Sequence, residues 1–253
     1  MSDPTPLTSA SQVSSYDECP RKWAMKYIAG HETPQTESQK LGDDVDSGQL
    51  QPYLSEGRPF DYTRDSGYIA ASALAYLPKP MAPGLEVQKH FTLPAATARR
   101  PDGSALFGYQ GYQDLWMPRR EFMPEAAFDA DELTKPPASY LNFGTNPPPV
   151  VVDFKTTVDL KWAKGRAALR KDPQAQLYAT WAMYETGARV VDLVWIYMQT
   201  RGARKAKRTH LRVYATDVLP QFQAIDAIAN EMFTVRREGE AAPDKQAFAL
   251  SLK

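Results

Sequence analysis

Residues 150–157 read VVVDFKTT, and the fold turns on them. Three β-branched residues in succession mark a strand buried on both faces. The apolar run then meets Asp153, and Lys155 follows two residues on. Side chains alternate along a strand, so this carboxylate and this ammonium project from the same side. A carboxylate so placed is costly unless it is paired or holds a cation. Two readings of the stretch stay open: a structural ion pair at a strand end, or part of a reactive site.

Working outward, Leu85–Leu93 and Ala105–Met117 read as extended segments upstream, and 190–199 and 209–214 as strands downstream. Helical spacing covers 172–186 and about 217–235. The N-terminal part is helical: a first helix opening at Thr8 or Ser9 and broken at Pro20, a second over 41–54, and a third over 66–77. Seven of the chain's 21 prolines fall between Pro118 and Pro149, which reads as a surface excursion because proline fixes φ and lacks a ladder donor. The order of helices, three strands, helix, two strands and helix predicts an α/β (α+β) fold with a mixed central sheet and helices on both sides. We expect one domain over 1–253, with a helical part at 1–80, a sheet core at 81–236 carrying the 118–149 insertion, and a tail at 237–253.

Composition narrows the chemistry. Thirty basic residues balance 30 acidic ones in 253, so any affinity for a polyanion must come from local clusters. No apolar run is long enough to span a membrane, and the N-terminus lacks the pattern of a secretion signal, so a cytoplasmic setting is expected, with no membrane partner. The single Cys19 cannot form an internal disulfide and reads as a small packing residue. His31, His90 and His210 show no metal-ligand spacing, and neither a phosphate-binding P-loop nor a GxSxG elbow occurs. Carboxylate chemistry remains.

Around the central stretch, GYQGYQDLW places Asp114 in the preceding strand, and DPQAQLY places Gln174 and Tyr178 at i and i+4 on one helix face. Upstream, LGDDVD sets Asp46 four residues after Gly42. With Cys19-Pro20-Arg21-Lys22 at the start, the ordered set resembles the RecB-like branch of the PD-(D/E)xK nuclease superfamily, which includes CRISPR-associated RecB-like and phage exonucleases. The resembling motifs are Gly42 to Asp46, Gly111 to Asp114, Asp153 to Thr156, and Gln174 with Tyr178, covering residues 8 to about 200.

The resemblance implies a restriction-endonuclease-like core and a metal-dependent DNA nuclease, chiefly exonucleolytic, in recombination, repair or phage DNA processing, in a bacterial or phage-infected cell. It implies Mg²⁺ or Mn²⁺ on Asp114 and Asp153, with the Phe154 carbonyl and Asp46 assisting, and Lys155 orienting the attacking water. Gln174 and Tyr178 would position the site or contact DNA, and a recombination or annealing protein would be a partner. Two departures matter. Asp46 stands where the family has a metal-binding histidine; aspartate is a hard oxygen ligand, yet the change equally suits an impaired enzyme, a DNA-binding module on the same fold. Relatives with an iron–sulfur cluster need four thiolates, which Cys19 alone does not supply.

For DNA contact the expectation falls on Lys161, Lys164, Arg166 and Arg170 in the first basic run, and on Arg204, Lys205, Lys207 and Arg208 in the second, read as a turn between strands. Trp162 and Tyr109 are candidates to stack on bases of a frayed end. Glu86 is a lesser candidate for the site, read as a supporting or salt-bridged residue.

Overall fold

The computed structural model describes residues 5–133 and 148–253. In chain order the elements are β1 (Leu7–Thr8), α1 (Ala10–Glu18), α2 (Pro20–Tyr27), α3 (Glu37–Val45), a π-helical turn (Asp46–Leu50), α4 (Gln51–Glu56) and α5 (Asp65–Ala71). Then come β2 (Glu86–Pro94), β3 (Gly108–Met117), α6 (Ala130–Leu133), β4 (Val150–Thr157), α7 (Arg166–Leu169) and α8 (Pro173–Thr186). β5 (Val190–Gln199), β6 (Ala206–Tyr214), α9 (Ala215–Ala241) and α10 (Lys245–Ser251) complete the chain. The six strands form one mixed sheet in the order β1-β3-β4-β5-β6, with β2 also paired to β3, and helices flank it, as the alternation of elements requires. No helix among the described residues is long and apolar enough to cross a membrane.

The chain divides into two compact units. The larger comprises Gln35–His90 and Tyr112–Ala215. Its centre is β4, parallel to β5 from Val150↔Asp192 to Thr157↔Gln199. β5 pairs antiparallel with β6, whereas β3 pairs antiparallel with β4 only from Leu115↔Val152 to Met117↔Val150. One face of β4 sends Val150, Val152 and Phe154 into a core with Val194, Ile196, Leu50, Leu54 and Ile69. The other face lies toward α8, where Trp116 meets Trp181 edge-on and Tyr178 stacks on Trp195. Being covered on both sides explains the unbroken valine run.

The buried Asp192 on β5 shows how this unit tolerates an interior charge. Burial alone would raise its carboxyl, but His210 and Arg212 hold it below the ordinary range. Arg212 donates through two nitrogens at 2.9 and 2.8 Å, and His210 Nε2 lies at 2.9 Å. The Asp129 N–H donates to His210 Nδ1, so this histidine is a packing and hydrogen-bonding residue.

The smaller unit comprises Met1–Pro34, Phe91–Gly111 and Thr216–Lys253. β1 runs parallel to the start of β3, Phe107 stacks on Phe233, and the Tyr109 hydroxyl donates to Asp226 Oδ1 at 2.7 Å. Pro20 opens α2 behind Cys19, whose backbone is extended, so the break expected at Pro20 is present. Residues 237–253 continue α9 to Ala241 and then form α10, which closes on the chain where Gly239 leaves no room for a side chain beside Phe248 and Ile28.

Several boundaries differ from the sequence reading. α5 ends at Ala71 and only a short 3-10 turn, Leu74–Tyr76, follows. β6 starts at Ala206, so Lys207 and Arg208 lie on a strand and not in the basic turn expected there. α9 passes through Pro220, which costs it a hydrogen bond near its N-terminal end and does not stop it. Of the proline-rich excursion, 134–147 lie outside the described residues.

Close helix packing holds the π-turn in place. Buried Gln49 within it accepts the Asp61 N–H at 2.9 Å and donates to Ser66 on α5. A Cβ on Gly67 would lie 2.1 Å from the Asp61 carbonyl oxygen, so α5 can approach this loop only with glycine there. Gly67→Ala is therefore expected to destabilise the protein by about 2–3 kcal/mol, the range for overpacking a tight contact, as read by urea denaturation. An unchanged midpoint would show that the loop yields freely.

Candidate active site

The site forms where β3 and β4 part. Leu115↔Val152 is the last antiparallel pair on this side, and Asp114 and Asp153 stand one step beyond it. With its ladder partner gone, the Phe154 N–H donates to the Asp114 carboxylate Oδ2 at 2.7 Å. A side chain thus satisfies a strand N–H that the diverging backbone leaves open. Asp153 is fully buried, and the Lys155 ammonium reaches back to 2.6 Å from its Oδ2. The same-side geometry expected for the D-x-K pair is therefore present.

α8 closes the other side. Its N-cap Asp172 accepts the Gln174 N–H, fixing the first turn. From that turn Gln174 Nε2 donates to Asp153 Oδ1 at 2.8 Å and to the Tyr178 hydroxyl at 2.7 Å. The Tyr178 hydroxyl donates onward to the Tyr112 carbonyl at 2.6 Å. The i, i+4 pair accordingly clamps one carboxylate oxygen to the backbone of β3.

Asp46 arrives on the π-turn that interrupts the helix from α3 to α4. A π-turn inserts a residue into the helical spiral and redirects the side chains around it. Gly42, one turn earlier, lets the helix come close to β4: a Cβ there would stand 3.0 Å from Thr156 Oγ1. Asp46 Oδ2 accepts from Gln51 at 2.9 Å and from Gln88 at 3.4 Å, while its buried Oδ1 has no hydrogen-bond partner among the described residues. The same Gln88 Nε2 lies 3.3 Å from Asp114 Oδ1, so one amide bridges the two carboxylates. Gln88 does this from β2 with a left-handed φ of 53°, an uncommon backbone state for a non-glycine residue and one that costs energy. A cleft of about 620 Å³ opens here, with Gly42, Asp46, Asp114, Lys155, Thr156 and Trp162 among its walls and Asp153 buried behind it.

The electrostatics follow from burial and crowding. Burial, and then the charge of Asp46, push the Asp114 carboxyl up to about 6. Burial pushes Asp153 up to about 7, with Asp114 adding to it and Lys155 opposing. Asp46 is raised as well, first by burial and then by Asp153. Burial would lower the Lys155 ammonium, but Asp153 and Asp114 outweigh it and hold it above the ordinary value. Among the described residues no three His, Cys, Asp or Glu side chains close on a single point. The acids stand as two sets: Asp46 and Asp114 about the Gln88 amide, and Asp153 against Lys155 and Gln174.

The other expected residues are distributed unevenly. Phe154 contributes its N–H to Asp114 and its ring to the core. Tyr109 is buried and bonded to Asp226, so it offers no face to a base; no local pattern points to that partner 117 residues away. Trp162 is exposed. Glu86 pairs with Lys89 at the surface, and its neighbour but one, Gln88, enters the site instead. Of the basic residues, Lys164 pairs with Asp172, Arg166 with Asp129, Asp131 and Glu132, and Arg170 with Glu132. Arg204 pairs with Asp65 and Arg208 with Asp129. Lys161 lies 3.4 Å from exposed Asp159, and Lys205 and Lys207 make no ion pair among the described residues. Most of the expected cationic surface is thus engaged internally.

No family model matches the chain, and no curated protein matches its sequence. Among solved structures, a "putative exonuclease" from Eubacterium rectale is similar over 94% of this chain and 84% of its own, with a TM-score of 0.52 and 14% identity. The structure of SSO0001 aligns over 93% of this chain and 79% of its own, with a TM-score of 0.40 and 11% identity. At such identity the first likeness is one of fold.

Two outcomes follow from the crowded carboxylates. Asp114 and Asp153 bind their protons more tightly in the folded protein than the ordinary 3.8 allows. The stability this gives is complete below about pH 4 and is lost as pH rises through 6 and 7. Asp114→Asn should flatten that decline in metal-free buffer, gaining roughly 1–3 kcal/mol at pH 8 over wild type. Urea melts from pH 5 to 8 test it, and parallel profiles for the two proteins would refute it. Gln88→Leu should act oppositely, costing about 1–3 kcal/mol at pH 8 because two carboxylates lose their shared donor. At pH 5, where those carboxyls can protonate, the cost should shrink.

Proposed function

We propose that this chain is a metal-dependent DNA nuclease that hydrolyses phosphodiester bonds, principally as an exonuclease. The observation that carries the reading is the meeting of Asp114, Asp153 and Lys155 at the parting of two strands, with Asp46 delivered to the same cleft by a π-turn. The resemblance of the ordered motifs supports it, as does the name of the Eubacterium rectale structure with the similar fold.

The residues fit a hard divalent cation in kind. All three acids are oxygen donors, and among the described residues the buried Asp46 Oδ1 has no hydrogen-bond partner, a state that costs free energy until something positive meets it. The three acids do not converge on one point in this structure; Asp46 and Asp114, which share the Gln88 amide, and Asp153 beside Lys155 would supply oxygens to Mg²⁺ or Mn²⁺, which when bound supplies positive charge and a more acidic water. The protein's own groups do the rest. Lys155 is 41% exposed, so its ammonium can meet a phosphate oxygen at the cleft while still facing Asp153. Gln174 and Tyr178 keep Asp153 from rotating away. Lys155 stays protonated at neutral pH and so stabilises developing negative charge; it does not act as a base.

A second reading rests on the Gln88 amide between Asp46 and Asp114, the arrangement expected of a DNA-binding module that has lost its metal. One assay separates the two. End-labelled linear DNA should be degraded with Mn²⁺ and spared with chelator, while closed circular DNA survives. Asp153→Asn and Lys155→Ala should each lower the rate by about 100-fold or more with unchanged circular dichroism. Mn²⁺ should also raise the melting temperature of wild type and not of Asp114→Ala. Absence of both cleavage and the thermal shift would favour the binding module, and Asp46→His would then be the variant in which cleavage returns.

A further inference from the structure

We infer that the cleft takes an unpaired DNA strand, one of whose bases leaves the stack and lies on Trp162; this rests on the nuclease reading and names its substrate class. Trp162 ends the 3-10 turn Leu160–Trp162 directly after β4 and is 69% exposed. Asp159 caps that turn through its carboxylate to the Lys161 N–H, so the indole stands on an ordered base. A large apolar ring left in water costs hydrophobic free energy that packing would recover, and its position gives it a use. It borders both the carboxylate cleft and a second pocket of about 240 Å³, whose walls include Lys155, Gln174 and Tyr197. A ring there can carry a base while the attached phosphate lies toward Lys155.

The charges around it suit one backbone and not two. In the register of β4, β5 and β6, Lys155, Tyr197 and Lys207 form a row across the sheet on one face. Lys161 lies 5.2 Å from the Trp162 ring. Lys155, which lines both pockets with Trp162, faces Asp153 yet is 41% exposed, and Lys161 lies beside the exposed Asp159, whereas Arg166, Arg170, Arg204 and Arg208, which could follow a second strand, are tied to aspartates and glutamates. A duplex keeps its base faces stacked on each other, so only an unpaired nucleotide can offer one to Trp162.

Fluorescence anisotropy with a labelled 12-nucleotide strand, in chelator so that nothing is cut, tests this directly. Trp162→Ala should weaken binding roughly 5- to 100-fold, the range for loss of one base–aromatic stack, and Trp162→Phe should recover most of it. A fully abasic strand of the same length should bind wild type more weakly and Trp162→Ala no worse than the intact strand does. Blunt duplex should bind wild type more weakly than the single strand and be indifferent to Trp162→Ala. Wild-type affinity of Trp162→Ala for the single strand, or tighter binding of blunt duplex, overturns the inference. Cleavage with Mn²⁺ by wild type and by Trp162→Ala is scored separately. If neither cuts any DNA, the nuclease reading falls whatever the binding shows; if both cut and Trp162→Ala binds normally, only the inference falls.

Discussion

A carboxylate shut away from water sets the terms for this site. Asp153 lies at the end of a strand covered on both faces, where an unpaired charge would cost several kcal/mol. Everything near it answers that cost: the Lys155 ammonium on one oxygen, the Gln174 amide on the other, and Tyr178 pinning the amide to the backbone of β3. Burial first, and then the neighbouring carboxylates, drive Asp114 and Asp153 toward protonation near neutrality. Asp192, equally buried in the same unit, is the contrast. Two basic partners satisfy it, its carboxyl is lowered, and it has no appetite for a cation.

The parts of the site that obey local rules were legible in the sequence. VVVDFKTT encodes a two-face-buried strand, and the period of two puts Asp153 and Lys155 on one side. Helical spacing puts Gln174 beside Tyr178. Asp114 was readable as a strand residue, though its role as a stand-in for a missing ladder partner depends on where β3 and β4 separate. Gln88 was not legible. Left-handed backbone at a glutamine inside a strand has no compositional signature, and the sequence directed attention to Glu86, whose side chain lies outside. The basic runs misled for a related reason. Since β6 begins at Ala206, the alternation of a strand, not the openness of a turn, decides their fate. Arg208 and Lys207 point to opposite faces, and only Arg208 finds Asp129.

Asp46 gathers these threads. A glycine one turn before it brings the helix against β4, and a π-turn that starts at Asp46 re-aims its side chain. There its carboxylate meets the same Gln88 amide as the carboxylate of Asp114. Two carboxylates so close need a donor, and the Gln88 side-chain amide, carried on a left-handed backbone, supplies it by bridging Asp46 and Asp114. Strain stored at Gln88 is tolerable because the alternative is two largely buried carboxylates without their shared donor. The carboxylate at position 46 and the backbone conformation at position 88 are therefore two aspects of one electrostatic problem, and neither is intelligible alone.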